Sequence, residues 1–245
     1  SAMTSGSYAG GFEGIDIEAR FQFDDHDDVV LRQSFDGGRA VIEAGTQLLA
    51  FSAFMELNEM ERVPVRGLEV DLHQVERPHV VDLVGVRTER QRVAPGEQVE
   101  IVLEMQPYRG ERYEERIDVT LPADLDDGRY YLMIGDGTSM DVARDLIAPR
   151  EVDTVEGALD RLRSLRPRTE LHLVGLVGAP GLSVDGAVLP DLPPSVRGLY
   201  GRAGVGQALE LLIVDDEMRP LKRPMNGIHR IDLEVRESVL RPSRG

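Results

Sequence analysis

The chain has 245 residues, enough to bury a substantial core as one large domain or two closely packed ones. Hydrophobic residues make up 41% of it, which argues for a globular fold and against disorder. With 44 acidic against 28 basic residues the formal charge is −16, which repels phosphate backbones and anionic lipid and disfavours nucleic acid and membrane surfaces as partners.

In chain order, Ser1-Ala2-Met3 reads as the remnant of a cleaved tag, and the Gly- and Ser-rich start up to Gly11 as a flexible lead-in to a piece of a longer protein. Ile15, Ile17, Ala19, Phe21 and Phe23 alternate with polar residues, the period-two pattern of a half-buried strand. Asp24-Asp25-His26-Asp27 makes a turn, Val29-Val30-Leu31 starts a second strand, and Asp36-Gly37-Gly38 breaks it. Ala44 to Leu57 is apolar on nearly every face and predicts a helix covered all round. Residues 12–75 are therefore expected to form a β-rich segment with one buried helix.

Strand follows strand from Val63 to Leu121, with turns at Ala94-Pro95-Gly96-Glu97 and at the hairpin corner Pro107-Tyr108-Arg109-Gly110-Glu111. Asp126-Asp127-Gly128 then leads into Tyr130 to Ile134, and residues 76–150 are expected to form a sandwich-like β unit. Ser139 can cap a helix over Met140 to Ile147. Asp153-Thr154-Val155-Glu156 resembles a capping box, with Val155, Ala158, Leu159, Leu162 and Leu165 at helical spacing behind it. Leu171 to Val177, Leu209 to Val214 and Ile228 to Val235 read as strands. Ala179-Pro180-Gly181 reads as a turn, and Val196 to Tyr200 as a short helix. Residues 151–237 are thus expected as an α/β segment packed on the preceding sheets, with 238–245 a loose tail. The predicted fold class is α+β, mostly β, with sandwich-like antiparallel strands and a few packed helices.

Chemistry-bearing residues are scattered. There is no cysteine, which removes disulfides and thiolate chemistry, and the one lysine, Lys222, sits in a turn-like stretch with no sign of a desolvated pocket. Asp24, Asp25 and Asp27 offer oxygen ligands, and calcium is the one cofactor they invite, although neighbouring carboxylates converge poorly on one ion; a solvated hairpin tip is the plainer reading. Gly135-Asp136-Gly137-Thr138-Ser139 lies where a phosphate can rest on a helix N-terminus, but it lacks the dinucleotide fingerprint and the P-loop lysine, and a plain strand-to-helix turn needs the same residues. His172 and His229 fall within apolar strands, no serine sits in a nucleophile elbow, and no HExxH pair is present, so no catalytic set is assigned. Tyr108, Arg109 and Glu111 are the candidate binding residues. A ring and a forked cation at a tight corner suit a carboxylate or chain terminus, and Arg109 can equally pin the hairpin through Glu97 or Glu111.

The strings Pro95-Gly96-Glu97 … Val99 and Pro107-Tyr108-Arg109-Gly110-Glu111, followed by Gly135-Asp136-Gly137 and Leu189-Pro190-Asp191-Leu192-Pro193-Pro194, resemble the region downstream of the peptidase module in secreted bacterial proteins of the SpoIVB-type serine peptidase family. The resemblance implies an exported protein with a peptidase module N-terminal to this segment. The family's serine motif is absent here, so no catalytic residue carries over.

These observations together predict a non-catalytic extracytoplasmic accessory module that docks a protein partner or positions an upstream peptidase domain, its acidic surface favouring a basic or amphipathic partner. The alternatives are a carboxylate- or metal-dependent, carbohydrate-active hydrolase using Asp24, Asp136 or Asp215-Asp216, and a structural spacer or oligomerisation domain.

Overall fold

Alternation in the first strand decides how the N-terminal part is built. In the computed structural model, which describes residues 14–37, 39–57, 63–76, 79–108, 110–147, 154–184, 187–190 and 207–237, the chain forms two units, Ser1–Val80 and Val81–Gly245. In the first unit, β1 (Gly14–Gln22) is the centre of an antiparallel sheet between β2 (Val29–Asp36) and β3 (Gly67–Val75). Ile15, Ile17, Ala19 and Phe21 all point to one buried face, as the period-two pattern requires.

That face is covered by α1 (Ala40–Leu57). Ala40, Ala44, Phe51 and Met55 are buried on it, and the Phe51 ring meets Phe21 with centroids 4.0 Å apart. The helix begins four residues earlier than its apolar run suggests, because Ala40 N–H already bonds Gly37 O. Nor is it covered all round: Ile42 is 62% and Leu49 71% exposed on the opposite side. Uniform hydrophobicity hides which face packs, since it leaves no polar stripe to mark the outside.

The second unit is a two-sheet β sandwich. One sheet runs β12 (Met225–Asn226), β4 (Val81–Thr88), β6 (Gln98–Pro107), β7 (Tyr113–Thr120). The other runs β10 (Ala187–Pro190), β9 (Glu170–Val184), β8 (Gly128–Asp136), β13 (Ile228–Val235), β5 (Arg92–Val93), and β11 (Gln207–Pro220) also pairs with β9. Pairing is antiparallel except for β12 on β4 and β5 on β13. Val81, Leu83, Ile101, Leu103 and Met105 from one sheet pack with Tyr130, Leu132, Ile134, Leu173 and Leu233 from the other in a single core. Each such fully buried side chain contributes roughly 1.5–3 kcal/mol. The far face of the second sheet takes α2 (Gly137–Ile147), whose Met140 joins Val174 and Leu176.

The fold is thus α+β and mostly β, as the strand spacing predicts. The strand expected over Ile228–Val235 has those bounds. Three local readings change. α2 is capped by Asp136, which accepts Ser139 N–H, so the cap lies three residues before Ser139. α3 (Val155–Arg163) is capped by Thr154, whose Oγ1 accepts Gly157 N–H, while Glu156 pairs with Arg163 where a capping box would turn it back. β9 runs through Ala179-Pro180-Gly181, where the sequence predicts a turn, because β11 pairs with Gly178 and Gly181 on either side of a register shift and β10 also pairs with Gly181. The helix expected at Val196 to Tyr200 lies outside the described residues. Among the described residues, no helix is long and apolar enough to cross a membrane.

Candidate functional site

Asp24 and Asp25 are exposed at the tip between β1 and β2, as is Asp27. Asp24 faces Arg66 at 3.7 Å and Asp28 faces Arg20 at 3.7 Å, so two of the tip's carboxylates face different cations. Among the described residues, no three His, Asp or Glu side chains converge to hold a metal ion. At Gly135 to Ser139 the buried Asp136 carboxylate occupies the helix end, accepting Ser139 N–H, Ser139 Oγ–H and Gly227 N–H. A Cβ on Gly137 would collide with Arg166 and Pro167, so the loop is filled by its own chain. These residues make a turn and leave no cradle for phosphate.

The remaining buried charges also serve the fold. Asp141 accepts Arg166 N–H at 2.8 Å and pairs with its guanidinium, tying α2 to the chain after α3. His229 Nε2–H donates to Leu83 O at 2.9 Å, joining the two sheets. His172 lies on β9 with Nε2 3.2 Å from Glu170 and its Nδ1 buried without a partner; burial pushes its pKa down, against the pull of Glu170. Asp215, on β11, is pushed up by burial, and the nearby Tyr130 phenol is pushed up as well, with its hydroxyl buried and unbonded.

A second cluster, invisible in the sequence, brings together Asp16 on β1, Ser34 and Asp36 on β2, and His79. Asp36 Oδ2 accepts the backbone N–H groups of His79 and Val80, both at 2.7 Å, and its Oδ1 lies 3.0 Å from His79 Nδ1. His79 Nε2 is 2.7 Å from Asp16 Oδ1, which also accepts Ser34 Oγ–H at 2.6 Å. The serine hydroxyl lies on the Asp16 carboxylate, where a nucleophile would instead be hydrogen-bonded to the imidazole.

The corner between β6 and β7 is held by Gln106. Its Nε2 donates to Pro107 O and Gly110 O, and Arg112 Nε donates to its Oε1. Tyr108 and Glu111 stand exposed there, while Arg109 lies outside the described residues. Glu97, the partner considered for Arg109, is engaged by Arg90 and by Ala94 N–H.

Beside this corner opens a cleft of about 620 Å³. Buried Val81 and Met105 and half-buried Leu221 line its apolar part. Tyr113 and Glu115, at the start of β7, line one side, and Lys222 and Arg223, beyond β11, the other. The opposing segment is set by backbone bonds: Leu221 N–H donates to Thr169 O, and Val81 N–H to Pro224 O. The sole lysine therefore lies on a cleft after all. Burial, reinforced by Glu115 and opposed by Arg223, pushes the Tyr113 phenol pKa up, so both charges are felt at that ring. Glu114 is engaged by Arg87 at 2.7 Å, but Lys222 and Arg223 form no ion pair or hydrogen bond among the described residues.

The β7 wall has one further property. β7 pairs only with β6 among the described residues. Asp118 O points away from β6, because it accepts Arg219 Nη2–H at 2.8 Å. In an antiparallel strand the N–H and C=O of one residue face the same side, and alternate residues share that side. Glu114 and Arg116 therefore direct their backbone groups outward too. Among the described residues, the edge is blocked at Asp118 and open from Glu114 to Arg116. Neither the sole lysine's position in the sequence nor the charge-rich β7 string signals this, because the cleft joins segments more than a hundred residues apart. Compared with known proteins, the chain matches no family model, no curated protein and no solved structure.

Proposed function

We propose that the chain is a non-catalytic interaction module that docks an extended segment of a partner protein against β7, in an extracytoplasmic setting where it positions a serine-peptidase module lying upstream. The open edge at Glu114 and Arg116 beside the cleft carries the docking reading. An added strand recovers main-chain hydrogen bonds along such an edge, and neighbouring pockets select its side chains. Each bond nets about 0.5–1.5 kcal/mol, so the edge supplies register and the apolar part of the cleft supplies much of the affinity. The charged side chains of β7 suit a regulated edge: Arg87 on Glu114 and Glu100 on Arg116 guard it against pairing with any exposed strand. At long range the charge of −16 steers basic or amphipathic partners toward the molecule. The exported setting and the peptidase neighbour rest on the resemblance carried by Pro95-Gly96-Glu97 and Pro107 to Glu111.

Panning a displayed library of random peptides against the protein, then mapping amide exchange with a selected peptide bound, tests the docking. Slowed exchange at Glu114 and Arg116 is expected. Recovery of no binding peptide, or protection confined to other strands, contradicts it.

A further inference from the structure

We infer that the cleft beside β7 receives the free C-terminal carboxylate of the docked segment, with Lys222 and Arg223 as the groups that bind it. This rests on the docking reading of the same cleft and adds the chemistry of its ligand.

Three observations support a chain end over an internal stretch. First, the edge is short. Arg219 Nη2 occupies Asp118 O, so a strand laid along β7 meets a block just past Arg116 and must stop or leave the sheet. Second, the two cations on the opposite side are unspent. In a chain where acidic residues outnumber basic ones 44 to 28, most described arginines have carboxylate partners, among them Arg87, Arg90, Arg92, Arg116 and Arg219. Lys222 and Arg223 are adjacent, exposed, line the cleft and have none among the described residues. A forked guanidinium beside an ammonium suits a carboxylate, which accepts from both. Third, the charges are divided between the two sides. Glu115 belongs to β7, along which an incoming strand presents N–H donors, and the cations belong to the separate segment after β11. A peptide terminus matches that division, with its amides on β7, its carboxylate on Lys222 and Arg223, and its last apolar side chain toward Val81, Met105 and Leu221.

Two displayed random-peptide libraries separate the possibilities, one with free C-termini and one with the C-terminus fused to the carrier. We expect enrichment from the first alone, with apolar last residues. A synthetic fluorescein-labelled binder should lose about 10- to 100-fold in affinity when its C-terminus is amidated, the range for charge-assisted hydrogen bonds. Lys222→Gln with Arg223→Gln should cause a similar loss for the free acid and little further loss for the amide. Both positions are exposed, so the doubly substituted protein should keep its melting temperature. Equal enrichment from both libraries, or an amide that binds as tightly as the acid, overturns the carboxylate inference and leaves docking intact. Enrichment from neither overturns both.

Discussion

His79 and Asp36 are joined at two points, and Val80 adds a third: one carboxylate oxygen accepts the N–H groups of His79 and Val80, and the other faces the His79 ring. Asp36 is the last residue of β2, and its side chain is only 6% exposed. The chain after β3 is therefore fastened to the sheet mainly through Asp36, with Asp16 Oδ1, 2.7 Å from His79 Nε2, as a second anchor. Asp36→Ala strands two backbone donors and should cost the first unit about 2–4 kcal/mol, since bonds to a charged acceptor are worth about 1.5–3 kcal/mol. Urea unfolding, with amide exchange read at His79 and Val80, checks this; a loss below about 0.5 kcal/mol would mean the clamp is idle.

Tyr130 and Gly175 are a fitted pair. The Tyr130 hydroxyl occupies the space where a Gly175 side chain would begin, and it is buried with no hydrogen-bond partner. An unsatisfied buried hydroxyl is a liability, so Tyr130→Phe should leave stability unchanged or raise it by up to about 1 kcal/mol. Gly175→Ala should destabilise the second unit by about 2–4 kcal/mol through overpacking, and part of that loss should return in the double variant with Tyr130→Phe. A costly Tyr130→Phe would reveal a partner for the hydroxyl.

His172 makes the second unit acid-sensitive. Burial holds its folded pKa below the free value, with Glu170 pulling it up and the Arg166 and Arg144 charges adding to the decrease. The unfolded ring takes up a proton near pH ~6.5, where the folded ring still resists it. The unfolded state then binds more protons, so stability is present above that pH and is lost as pH falls through it. Asp215, pushed up by burial, acts in the opposite sense at the more acidic end. Denaturant midpoints between about pH 7.5 and about pH 5.5 should fall, and His172→Gln should flatten that slope. An equal slope in the variant would point elsewhere.

Calcium should leave the melting temperature unchanged. Asp24 and Asp28 face Arg66 and Arg20, and an ion gathering both carboxylates would have to compete with these two cations. A rise of several degrees on millimolar calcium would indicate a site that the tip must rearrange to form.

Much of the fold is legible because alternation fixes a strand's buried face directly, as it does from Ile15 to Phe21 and again over Ile228–Val235. Boundaries slipped where the deciding contact lies outside the local pattern. Asp136 caps α2 and also binds Gly227 across the sheet, and β9 passes through Pro180 because other strands pair with it on both sides, at Gly178 and Gly181. The candidate site was the least legible part. Pro107 to Glu111 is legible as a corner, and Pro107 does line the cleft, but the cleft is completed by Pro220 to Arg223. Periodicity carries no information about which distant turn faces which edge.

The docking surface is tested most directly by Glu114→Pro. The Glu114 N–H faces away from β6, so proline there leaves the β6–β7 ladder intact and removes the donor that an added strand needs. With a peptide selected on the native protein, the expected result is an unchanged melting temperature and binding at least about 10-fold weaker, roughly 1.4 kcal/mol. Undiminished affinity in the folded variant would show that the partner does not pair with β7.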